Sequence, residues 1–91
     1  MERESTAAPI REAARATEEA WEEFHGAAIG GTLASPALQS KIEQQLHEVR
    51  SLLMEARKAE RANKVDSVKT LTQKILQITD NIIQASRERK S

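Results

Sequence analysis

Apolar positions recur every three or four residues along nearly the whole chain, the period of helices that bury one face. The clearest run is Val68, Leu71, Ile75, Ile78, Ile82 and Ala85. Its alternating steps of three and four make a heptad seam, which Leu76 and Ile83 widen. A second stripe comprises Leu38, Ile42, Leu46, Val49, Leu52, Leu53 and Ala56. A third, Ile10, Ala14, Thr17, Trp21, Phe24 and Ala28, is thinner because half of its positions are Ala or Thr. The spacing predicts three helices and an all-α fold.

The start and stop signals fit that division. Thr6 and Pro9 open the first helix, since a proline in the first turn loses no needed N–H. Gly26, Gly30 and Gly31 then predict a flexible break from His25 to Ser35. Ser35-Pro36 combines a cap with an N1 proline, and starts a second helix expected to reach about Ala62. Asn63 either ends that helix in the left-handed conformation or caps the next one, with a turn over 62–66 in both cases. So short a turn forces the second and third helices antiparallel. The expected organisation is an acidic, Ala-rich N-terminal helix and Gly-rich connector over 1–34, followed by a coiled-coil-like helical hairpin over 35–91.

Composition narrows the chemistry. Without cysteine there are no disulfides and no thiolate metal sites. No apolar run approaches the roughly 20 residues that span a bilayer. The N-terminal Met1-Glu2-Arg3-Glu4 lacks the apolar stretch of a signal peptide. A cytoplasmic protein with no direct membrane insertion is the expectation. Glu43 and His47 share a helical face, but two ligands do not make a zinc site. No nucleotide loop, Ser/His/Asp arrangement or poised carboxylate pair stands out, so neither an enzyme nor a bound cofactor or metal is expected.

The charge is zero overall yet divided. Residues 1–25 carry seven acids against three bases, and residues 26–91 carry seven acids against eleven bases. This permits ordinary solvated faces or an acidic arm folding back on a basic remainder. It is a weak footprint for nucleic acid, since the basic part has no aromatic residue. Within the first helix the charges oppose the macrodipole, with bases early and Glu18, Glu19, Glu22 and Glu23 late. That helix should therefore depend on packing.

A two-helix hairpin cannot cover its own stripes. For about 50 residues, burial and conformational entropy come out near balance. The first helix, a second copy or another protein must supply the cover. A three-helix bundle is one outcome and an exposed docking surface the other. The residues expected to meet a partner are Leu46, Val49, Leu52, Leu53, Met54, Val68, Leu71 and Ile75.

Two blocks sharpen the partner reading. Gln44-Gln45-Leu46-His47 through Ala56, followed by Asp66-Ser67-Val68-Lys69-Thr70-Leu71, resembles the Rab-binding helical hairpin domain of rabenosyn. The resemblance implies docking on a GTP-loaded Rab-family GTPase, with peripheral placement on endosomal membranes through that partner. Leu46, Val49, Leu52, Leu53, Val68 and Leu71 would be the apolar contacts. The chain lacks the glycine usual near that family's turn, and only Ser35-Pro36-Ala37 echoes the Asn-Pro-Leu before it. The function expected is thus a protein-interaction module in a trafficking or tethering assembly. The alternative is a self-associating coiled-coil subunit with no GTPase role. A further variant has the acidic first helix masking the hairpin until it is displaced.

Overall fold

A computed structural model describes residues 6–33 and 35–88. The early charges Glu2, Arg3 and Glu4 and the late bases Arg89 and Lys90 lie outside the described residues. Three helices account for almost all of the rest: α1 (Ala7–Gly30), α2 (Pro36–Arg61) and α3 (Val65–Arg87). They form an all-α three-helix bundle 55 Å long and 18 by 16 Å across.

Two polar contacts fix the directions. Thr6 Oγ1 donates to Glu60 Oε2 at 3.0 Å, joining the start of α1 to the end of α2. Arg87 donates to Glu23 Oε1 at 2.8 Å, joining the late turns of α3 and α1. So α2 runs antiparallel to its neighbours, and α1 and α3 run parallel. One core draws on every helix: Ile10 and Phe24 from α1, Ile42, Leu46, Val49, Leu52 and Leu53 from α2, and Val68, Ile75 and Ile82 from α3.

Both turns use the same device. At the end of α1, Gly31 adopts φ 67°. Its N–H donates to Ala28 O at 3.3 Å while Thr32 N–H donates to Ala27 O at 3.0 Å. At the end of α2, Asn63 adopts φ 57°, with Asn63 N–H on Glu60 O at 3.0 Å and Lys64 N–H on Ala59 O at 2.9 Å. These paired bonds are Schellman closures, which satisfy carbonyls that a helix end leaves orphaned. Asn63 therefore ends α2. Ser35 starts it, its hydroxyl accepting from Leu38 N–H at 3.1 Å.

The expected break at His25 is corrected. α1 continues through Gly26 to Gly30, so the connector is much shorter than the run from His25 to Ser35. A single glycine costs a helix only about 1 kcal/mol, too little to stop one whose next turns pack against the bundle.

The seams of α1 and α3 are also rotated from the expected positions. On α1 the structure buries Ile10, Ala13, Thr17, Ala20 and Phe24, and leaves Trp21 38% exposed. On α3 it buries Val68, Thr72, Ile75, Thr79, Ile82 and Ser86, with Leu71, Ile78 and Ala85 only partly covered. Both helices turn their small residues inward where they face each other, and small residues let backbones approach. Contact between α1 and α3 is accordingly the most extensive in the bundle, and that between α1 and α2 the least. The threonines enter the core because each hydroxyl donates to its own helix. Thr17 bonds Ala13 O at 2.8 Å, Thr72 bonds Val68 O at 2.8 Å, and Thr79 bonds Ile75 O at 2.9 Å. A hydroxyl so paired avoids the cost of a bare buried donor, and the methyl is left to pack.

Candidate interaction surface

Of the eight residues expected to meet a partner, six are occupied inside the bundle. Leu46, Val49, Leu52, Leu53, Val68 and Ile75 are buried, and α1 supplies part of their cover. Leu71 is half-buried. Met54 points outward and is 68% exposed.

The exposed large apolar side chains are Met54, Trp21 and Ile29, the last 75% exposed. Trp21 lies where α1 and α2 meet, whereas Met54 lies in a depression lined by α2 residues alone. Trp21 marks that edge on α1: the Arg50 guanidinium of α2 lies 6.0 Å from its ring centre, and a shallow groove beside it is lined by Phe24, Glu43, Leu46 and His47. His25 meets the Trp21 ring edge-on at 4.6 Å, and Ile29 follows one turn later on the same ridge. Met54 lies one turn beyond Arg50. Of the three, Trp21 is thus the apolar group that stands at the α1/α2 seam.

The setting of Met54 is basic. Arg50, Arg57, Lys58 and Arg61 stand at its i−4, i+3, i+4 and i+7 positions, and all are exposed. Arg57, Lys58, Arg61, Ser51, Glu55 and Met54 line one shallow depression. The position of Trp21 could not be read from spacing, because its seam position looked better than that of Ala20. The bases around Met54 follow from helical spacing alone, since they stand three, four and seven positions from it.

Folding also converts the charge division along the sequence into one along the molecule. At one end lie the first half of α1, the second half of α2 and the first half of α3. There Arg11, Arg15, Arg50, Arg57, Lys58, Arg61, Lys64, Lys69 and Lys74 outnumber Glu12, Glu18, Glu55, Glu60 and Asp66, nine bases against five acids. At the other end Lys41 and Arg87 stand with Glu19, Glu22, Glu23, Glu43, Glu48, Asp80 and Glu88, two bases against seven acids. The bundle is thus an elongated electrostatic dipole with little net charge.

The Glu23–Arg87 pair sits at the acidic end. The hydrogen bond from Arg87 holds the Glu23 carboxyl below its ordinary value, helped by the guanidinium charge and opposed by partial desolvation. Beside the pair, Glu19 and Glu22 border an open groove with Gly26, Ala27, Thr32 and Ser86. Among the described residues no group of three or more His, Asp or Glu is arranged to hold a metal ion, and no helix is long and apolar enough to cross a membrane. No protein-family model, curated protein or solved structure matches the chain.

Proposed function

We propose that the chain is a protein-interaction module whose α1/α2 face docks on another helical chain. One observation carries this reading: the exposed Trp21 ring stands beside a groove between α1 and α2 that Phe24, Leu46, Glu43, His47 and Arg50 line. Scattered exposed apolar residues need no explanation, whereas apolar groups grouped on one face and rimmed by charge are what docking surfaces present. The test is a comparison of the wild-type chain with the double variant Trp21→Ala, Arg50→Glu. Affinity purification with mass spectrometry should show the double variant losing the protein partners that the wild-type chain retains, itself included. An unchanged partner set overturns the reading.

The Rab-effector version makes a further demand. Its contacts Leu46, Val49, Leu52, Leu53 and Val68 are covered in the bundle, so docking through them requires α1 to be displaced. Deleting residues 1–34 should then increase affinity for a GTP-loaded Rab, and Leu71→Asp should abolish it. Equal binding of the GDP and GTP forms removes this version while leaving the α1/α2 face untouched.

A further inference from the structure

We infer that the outer face of the last turns of α2 docks an acidic helical segment of another protein. Met54 is the apolar contact there, and Arg57, Lys58 and Arg61 are the counter-charges. This surface is separate from the α1/α2 groove and stands without it. α2 buries Ile42, Leu46, Val49, Leu52 and Leu53 but leaves Met54 exposed. Arg57, Lys58 and Arg61 follow it at three, four and seven positions, so the four side chains share one helical face. With Ser51 and Glu55 they line one depression. Lys58 and Arg61 suit the negative end of the helix dipole. The dipole does not account for an apolar side chain set among them.

These bases lack counter-charge within the molecule. Among the described residues no carboxylate lies within ion-pair distance of Arg57, Lys58 or Arg61. Glu60 accepts from Thr6 Oγ1 at 3.0 Å, and Glu55 is the one acid lining the depression. That end of the bundle carries nine bases against five acids, and the surplus acid of the opposite end is screened beyond about 8 Å. An acidic partner supplies what is missing, and Met54 selects among acidic partners. A nucleic-acid backbone would match the charge but gains nothing from a thioether, and the depression holds no aromatic ring on which nucleobases stack. A membrane surface takes up a whole apolar helix face, and α2 keeps its own inside the bundle. A protein segment with an apolar residue set between Asp or Glu uses both features, since the flexible thioether adapts to the apolar side chain it meets. Met54 to Arg61 spans two turns, about 10 Å. Acids three or four positions from the apolar residue of a partner helix repeat at the same interval.

NMR titration of the full chain tests this, because Met1 and Met54 are its two methionines and the Met54 methyl reports on the patch directly. The probe is an end-capped helical peptide with a central Leu and Glu three and four positions to either side. The expected result is a shift of the Met54 methyl and of the Arg57, Lys58 and Arg61 amides, with binding weakened by salt. Arg57→Glu combined with Lys58→Glu should weaken binding by about tenfold. Met54→Gln, which keeps the charges, should weaken it by roughly tenfold as well. Helical circular dichroism should be unchanged in both variants, since these side chains are exposed. Trp21→Ala should leave the affinity unchanged. A loss there would put the peptide in the α1/α2 groove and overturn the assignment to Met54 while leaving the docking reading intact. A Met54 methyl that does not move, a Met54→Gln variant that binds as well as wild type, or equal binding of a peptide with Gln in place of Glu also overturns it. So does capture of phosphatidylserine vesicles or of a single-stranded oligonucleotide through the same bases without any response to the peptide.

Discussion

Arg87 donates to Glu23 at 2.8 Å across 64 residues of chain, and this pair locks the late turns of α1 and α3 side by side. Its place explains how α1 tolerates its own charges. That helix has no basic residue in its last turn and none acidic in its first, so it lacks both charges that the macrodipole favours. α3 supplies the missing cation from outside.

The pair therefore makes a prediction in pH. The Glu23 carboxyl is lowered in the folded state, so its contribution to stability is present above the unfolded-state value. It is lost as pH falls through the lowered folded value, and nothing is expected from it near neutrality. An NMR titration should find the Glu23 carboxyl titrating below its ordinary value. In Arg87→Ala it should return toward that value, and the acid side of the stability profile should flatten. A Glu23 titrating at its ordinary value in the wild-type chain would count against the contact.

The two glycines at the end of α1 should respond oppositely. Gly26 is helical, and a Cβ added there meets nothing within 4 Å, so Gly26→Ala should stabilise by about 1 kcal/mol. Gly31 sits at φ 67°, where a side chain is strained, and Gly31→Ala should cost about 1–2 kcal/mol. Chemical denaturation of both variants measures the difference, and equal signs would contradict the helix end placed at Gly31.

Ala20 and Trp21 test the rotated seam. Ala20 is fully buried, so Ala20→Leu should overpack the bundle and cost about 1–3 kcal/mol. Trp21→Ala should cost less than the roughly 3–5 kcal/mol of a buried aromatic, because the ring is 38% exposed. A neutral Ala20→Leu together with the full cost of a buried aromatic for Trp21→Ala, both read in urea denaturation, would restore the seam through Trp21.

Ser86 carries the one orphaned buried side-chain oxygen among the described residues: its Oγ has no hydrogen-bond partner. Removing a buried polar atom that makes no bond relieves its desolvation cost. Ser86→Ala should therefore raise stability by about 1 kcal/mol, measured by thermal or urea unfolding. A loss of stability would mean that the hydroxyl is bonded in solution.

Local sequence was enough for the three helices, the hairpin and its turn at Asn63, but not for where α1 ends. Those features rest on local physics: a period of three to four, Ser35-Pro36 as a start, and Asn63 as a residue that tolerates positive φ. The α2 stripe was legible for a related reason, since only one of its faces is apolar enough to be buried. On α1 and α3 two overlapping seams were available, differing by one position. Spacing favoured the bulkier set, with Trp21, Leu71 and Ile78. Tertiary structure chose the smaller set, because Ala13, Ala20, Thr72 and Thr79 let the parallel helices approach while intrahelical bonds satisfied the hydroxyls. That choice sent Trp21 to the surface and buried most of the residues expected to meet a partner. It also gathered charges distant in sequence into two opposite ends. Which residues remain available for binding is a property of how the helices rotate against one another, and no single helix encodes it.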